Sequence, residues 1–199
     1  MSKGPVFLAA SVPERNLDTY VPDPMAIREA IRALVAETVR DRLLVFGGHP
    51  AISPLVEHAA RTLNAIDHVH IYQSEFFRNS IPPVAKAFPN LIWTGEVPGD
   101  RVASLTRMRE EMIGSQPFES AVFIGGMEGL FEEWDIFQRV HGQHAPAFPV
   151  ASTEGAARLI WQGWAPPQNL PNRPPPPPDV KDRLEHDLDY RLLFRDLLG

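Results

Sequence analysis

The chain of 199 residues contains no cysteine. Disulfides, thiolate nucleophiles and cysteine-based zinc sites are therefore excluded, and a reducing, cytoplasmic setting is expected. There is no basic excess either. Nineteen lysines and arginines face 25 aspartates and glutamates, a formal charge of −6. A protein that binds duplex nucleic acid shows a basic face, so no nucleic-acid partner is expected. A local phosphate pocket is compatible with a net negative chain. No apolar stretch approaches the ~18 residues a membrane span needs, and the N-terminal run Val6–Ala10 suits a strand better than a signal core. No membrane partner is expected. Also missing are the Walker pattern, G-x-G-x-x-G and the G-x-S-x-G elbow. Standard NTPase, dinucleotide oxidoreductase and acyl hydrolase chemistry is set aside with them.

Proline is in excess, with 21 residues, five of them consecutive from Pro174 to Pro178. Five prolines make a stiff polyproline II spacer of ~15 Å. The expected organisation is a domain over residues 1–165, a proline-rich linker over 166–178 and a C-terminal helix over 179–199.

Upstream of the linker, short apolar runs alternate with helical patterns. Strands are expected at Val6–Ala10, Leu43–Phe46, Val69–Tyr72, Leu91–Trp93, Ala121–Ile124 and Phe148–Val150. Asp23-Pro24 offers an N-cap and a proline at the first helical position, followed by Ile27, Ile31, Leu34, Val35 and Val39 on one face. Ser53-Pro54 reads as the cap of a helix through Leu55, Ala59 and Leu63. Residues 101–113 and 129–140 form two more helices, the former around Val102, Leu105, Met108 and Met112, and Thr153 opens a fifth. Strands apolar on both faces, alternating with helices, imply an α/β fold. Its sheet is Rossmann-like and mostly parallel, with helices on both faces.

Ligands of such sheets bind beyond the carboxyl ends of the strands. The residues to weigh there include Ser11, Gly47-Gly48-His49, Ser74, and Gly125-Gly126-Met127-Glu128-Gly129. Two of these loops are diglycines running into a helix. Glycine admits close approach of a ligand, and helix-start amides favour an anion. Tight turns needing positive φ are the plain alternative. Glu132 and Glu133 follow in the first helical turns, where the dipole alone explains acids. As a functional pair, one of them accepts hydrogen bonds from a ribose or stabilises positive charge on it. Arg107 and Arg109 precede the fifth strand, and Arg15 and Arg78 lie on loops; each is a candidate cation for a phosphate. Phe76 and Phe77 offer a stacking face. His49 either donates to a phosphate or caps its turn. HGQH, with His141 and His144, has no obvious third ligand and reads as a polar helix end. No metal and no cofactor are expected.

VFLAASVP, LLVFGGHPAISPLV, IYQSEFF, VFIGGMEGLFEEWDIF and FPVASTEGAARL, in this order over about residues 5–165, resemble the SLOG superfamily. That superfamily joins the lonely-guy (LOG) cytokinin-activating enzymes, DprA-like proteins and the nucleotide-sensor domains of bacterial conflict systems. LOG enzymes cleave the N-glycosidic bond of nucleoside 5′-monophosphates and carry PGGxGTxxE, preceded by an arginine on the previous helix. Here Ile124 replaces the proline, an extra residue separates Gly126 from Gly129, and Leu130 stands at the threonine. Glu133 matches the final glutamate, and Glu111 falls near the arginine's place, with Arg107 and Arg109 close by. What the resemblance implies is a nucleotide pocket of the sensor type, binding an ADP-ribose- or nucleoside-phosphate-like ligand. The alternative is a phosphoribohydrolase using Glu133 or Glu132.

The tail from Asp179 to Gly199 reads as one helix with Val180, Leu184, Leu188, Leu192 and Leu197 along one side, widened by Tyr190, Leu193, Phe194 and Leu198. So apolar a helix needs a surface to cover. It docks either on its own domain or on a second subunit, and a homo-oligomer is the expected assembly.

Overall fold

The computed structural model describes residues 3–12, 21, 23–168, 170–171 and 174–199. Six strands form one all-parallel sheet: β1 (Val6–Ser11), β2 (Leu44–Gly47), β3 (Val69–Ser74), β4 (Asn90–Thr94), β5 (Ser120–Gly125) and β6 (Ala147–Val150), in the order β4-β3-β2-β1-β5-β6. Every expected strand is present, most of them extended by a residue or two. Successive strands step outward from β1 to β4, and the chain then crosses to β5 on the other side of β1. The carboxyl end of β1 is thus the switch point at which ligands of open α/β sheets bind.

Five helices cover the two faces: α1 (Pro24–Thr38), α2 (Ser53–Thr62), α3 (Arg101–Ile113), α4 (Glu128–His141) and α5 (Gly155–Gly163). Alternate residues of one strand feed different cores. Val6 and Leu8 pack with α1 and α2, whereas Phe7 and Ala9 pack with α3, α4 and α5. The second core is aromatic. Phe7 stacks on Phe137 at 5.8 Å and meets Phe123 edge-on at 6.2 Å. The connection from β3 to β4 carries two short 3-10 turns, Glu75–Phe77 and Pro83–Ala87, in place of a helix.

Asp23 caps α1 as its sequence suggests, its Oδ1 accepting from the amides of Met25 (3.1 Å) and Ala26 (2.9 Å). Three local readings are corrected. Ser53 does not cap α2: the Ile52 and Ser53 amides bond the His49 carbonyl, the Ala51 amide bonds His49 Nδ1 at 3.2 Å, and the Ser53 hydroxyl is buried without a partner. With its start set this way, α2 buries Val56 and Ala60, while Leu55, Ala59 and Leu63 are half-buried. Thr153 does not open α5 but fastens β5 to β6, its Oγ1 accepting from Gly125 N (2.8 Å) and donating to the Val150 carbonyl (2.6 Å).

The tail is two helices, α6 (Val180–His186) and α7 (Tyr190–Leu198), broken at Asp187–Asp189. Asp189 offers a cap, accepting from Leu192 N at 3.1 Å, so the helical phase restarts. Leu188 and Leu192, expected on the buried stripe, are 70% and 40% exposed, while Val180, Leu184, Tyr190, Leu193, Phe194 and Leu198 are buried in the core that α1 and α2 share. Of the two docking surfaces weighed for the tail, its own domain is the one it covers. Polar ties hold it there. Trp161 Nε1 donates to the Lys181 carbonyl (3.0 Å), Lys181 Nζ donates to the Trp164 carbonyl (2.7 Å), and the buried Arg42 guanidinium bonds the Leu198 carbonyl.

Candidate functional site

All six strands run the same way, so the two diglycines end β2 and β5 on the same rim, one on each side of β1. A cleft of about 620 Å³ opens above this rim, within the range of small-molecule sites. Its floor is Ala10 and Ser11 from β1, Gly47-Gly48 from β2 and Gln73 from β3; Met127 to Leu130 close one side, and Phe77, Ile81 and the start of α3 close the other. A smaller hollow of about 300 Å³ lies at the opposite end of the sheet, between the last turns of α4 and α5. No titratable side chain lines it.

Three of the four diglycine amides are bonded within the chain. Gly48 N donates to the Tyr72 carbonyl (2.9 Å), Gly126 N to the Ser11 carbonyl (2.8 Å) and Gly125 N to Thr153 Oγ1 (2.8 Å). These glycines answer to packing. Gly125 and Gly126 have φ of +59° and +92°, and a Cβ on Gly125 would lie 2.6 Å from Ile27 Cδ1 and 2.9 Å from the Ser11 carbonyl oxygen. Gly48 leaves room for Gln73, whose Nε2 donates to the Gly48 carbonyl at 2.7 Å. At Gly47 a Cβ would meet only Met108, Met112 and Glu133 at ordinary contact distances.

The chemistry converges on one side chain, Arg109. Carried inward by α3, its side chain is 14% exposed; the guanidinium bonds Glu132, and its Nε lies 3.6 Å from Glu133 Oε1. Thr106 Oγ1 also donates to Glu132. Gly129 makes room for the guanidinium, since a Cβ there would stand 2.6 Å from an Arg109 terminal nitrogen. Glu133 reaches back over the end of β2. Burial pushes its carboxyl up to about 7, against the opposing pull of Arg109 and with a smaller push from Glu132. His49 accepts from Ala51 N through Nδ1, so the neutral ring carries its hydrogen on Nε2, and burial pushes its pKa down.

Of the residues singled out in the sequence, the cleft brings together Ser11, Gly47, Gly48, His49, Arg109, Met127, Glu128, Gly129, Glu132 and Glu133. Ser74, Arg107, Gly125 and Gly126 are not among its walls. Ser74 is buried, capping the turn that carries Phe76. Arg107 and Glu111 pair with each other at 2.7 Å on the exposed side of α3, so of Arg107 and Arg109 it is Arg109 that lines the cleft. Phe77 lines the cleft; Arg78 pairs with Glu75 and lies over Trp93. Arg15 lies outside the described residues. His141 is committed to the Ile113 carbonyl at 2.7 Å, and no group of three metal-ligating side chains exists among the described residues. The sequence reading passed over Arg101 and Gln73. The signal for Arg101 was present: it begins the helix that follows β4, hence at the same rim.

The carboxyl of Glu133 gives a pH prediction. A carboxyl titrates near ~4.3 when unfolded and near 7 here, so between those values the folded state holds the extra proton. Its stabilising contribution is complete below ~4.3 and is lost as pH rises through about 7, to a total of about 4 kcal/mol. Wild type should therefore lose more stability from pH 5 to 8 than Glu133→Gln does, as read by urea unfolding. Parallel curves for the two proteins would refute the assignment.

The parallel sheet, its switch point at β1 and the charged cleft on that rim define a Rossmann-like α/β protein. The chain belongs to the SLOG cluster3 family, whose model matches residues 19–198, a span that includes the tail. The fold is similar to the X-ray structure of TM1055, a structural-genomics target, with 16% identity, a TM-score of 0.54, and coverage of 80% of this chain and 81% of that one. No curated protein matches. Membership of a SLOG family supports a nucleotide-related role in general and a small-molecule ligand. No helix among the described residues is long and apolar enough to cross a membrane.

Proposed function

We propose that this protein binds a nucleotide-derived ligand, ADP-ribose- or nucleoside-phosphate-like, in the cytoplasm and acts as a sensor of it. The observation that carries this reading is Arg109 held between Glu132 and Glu133 at the base of the cleft. Fixed carboxylates of this kind accept hydrogen bonds from ribose hydroxyls, and Phe77 with the apolar lip offers a face for a base. The test is thermal unfolding with AMP, ADP-ribose, cyclic ADP-ribose and NAD. A ligand at 100 times its Kd adds ~2.7 kcal/mol of stability. No shift with any of the four sinks the reading.

A second reading, N-glycosidic-bond hydrolysis, is favoured by one further observation. Glu133 is a buried carboxyl poised near neutrality beside an arginine, as a group that gives or takes a proton at pH 7 must be. It requires release of free base from a bound nucleotide, abolished by Glu133→Gln. Binding without base release leaves the sensor reading alone.

A further inference from the structure

Gln73 stands on the floor of the cleft, near the end of β3, with 5% of its surface exposed. Its side-chain amide is fixed in one sense. Nε2 donates to the Gly48 carbonyl at 2.7 Å, and turning the group over would set Oε1 against that carbonyl oxygen. Glycine at position 48 gives the amide its place, since a Cβ there would stand 1.9 Å from Nε2. Among the described residues Oε1 has no donor, yet it is not sealed from solvent, so it presents an acceptor to the cleft. His49, next along the chain from Gly48, lines the same cleft and carries its hydrogen on Nε2, a donor. This part of the cleft therefore offers a fixed acceptor and a donor, with the Phe77 ring on the wall.

Resting on the nucleotide reading above, we propose that Gln73 reads the base, and that the cleft takes bases bearing an exocyclic amine, adenine or cytosine, in preference to their keto counterparts. The amine donates to Gln73 Oε1, and a ring nitrogen beside it accepts from His49 Nε2. Glu133 reaches over the end of β2 and Phe77 follows β3. A ribose held by the first and a base lying on the second bring the base edge to Gln73. In hypoxanthine, guanine and uracil a carbonyl oxygen takes the place of the amine. It faces Oε1, acceptor against acceptor, and the amide turns to meet it only by losing Gly48. An acceptor left unpaired in a buried site weakens binding about tenfold or more.

The test is calorimetric titration at neutral pH with amino and keto pairs: adenosine and inosine 5′-monophosphates, cytidine and uridine 5′-monophosphates, and ADP-ribose with its hypoxanthine analogue. Purine riboside 5′-monophosphate, which has neither amine nor carbonyl at that position, completes the series. In each pair that binds, the amino member should bind about tenfold or more tightly than the keto member, and the purine riboside should fall between adenosine and inosine. Gln73→Leu should bring the adenosine monophosphate down to the affinity of the inosine one. The ligand series on wild type carries the test whether or not that variant folds. Equal affinity for amino and keto members, or a folded Gln73→Leu that keeps the preference, overturns the role of Gln73 and leaves nucleotide binding standing. Absence of binding by every ligand overturns the nucleotide reading and this one with it.

Discussion

Phe194→Ala should cost about 3–5 kcal/mol, and removal of residues 179–199 should leave no cooperative unfolding transition. Phe194 is fully buried in the core that also holds Ile27, Ile31, Leu34 and Val35 of α1. Truncation deletes the ring's contacts and leaves a cavity that helices on both sides of it cannot close. Deleting the tail uncovers a whole face of α1 and strips the buried Arg42 of its Leu198 carbonyl partner. An arginine that is 3% exposed and loses an acceptor adds a desolvation penalty to the lost apolar burial. Urea unfolding measures the first variant, and circular dichroism melting the second. A tail-less chain that melts sharply near the wild-type temperature would show that the tail is an accessory.

Arg109→Met should destabilise the protein by about 3 kcal/mol at pH 8, and by clearly less at pH 5. Removing one partner of a buried ion pair leaves an uncompensated charge, typically a loss of 3–5 kcal/mol. The lower end applies because Glu132 is 33% exposed and partly screened by water. Without Arg109 the pull that lowers the carboxyl of Glu133 is gone, so it titrates higher still. The penalty of charging it is then felt at alkaline pH and relieved by protonation. Adding Glu133→Gln to Arg109→Met should restore much of the loss at pH 8 and little at pH 5. Equal losses at both pH values, with no rescue by the second substitution, would mean that the guanidinium acts through packing alone.

Much of the scaffold is legible in one dimension. Apolar runs such as Val69–Tyr72 and Ala121–Ile124 can be satisfied only where both faces are covered, which is the interior of a parallel sheet. Asp23-Pro24 carries its own helix start, because the cap acts within three residues. The diglycines belong on a ligand-bearing rim because they end strands of that sheet.

The site was legible only in part. The diglycine amides are bonded to Tyr72, Ser11 and Thr153, and no local pattern reveals partners that lie between 24 and 115 positions away. Three arginine-or-acid candidates lie within five residues on α3, and which one faces inward depends on helix phase against the sheet; that phase places Arg109 in the cleft and sends Arg107 and Glu111 to the surface.

By itself, the sequence determined the α/β class, the number of strands, the rim and the acids available there, because periodicity, strand-ending glycines and residue type are local quantities. Tertiary structure alone decided which amides stay free, which arginine meets which carboxylate, and where the tail lies. These depend on the distance and burial of groups far apart in the chain, and burial sets the proton affinity of Glu133.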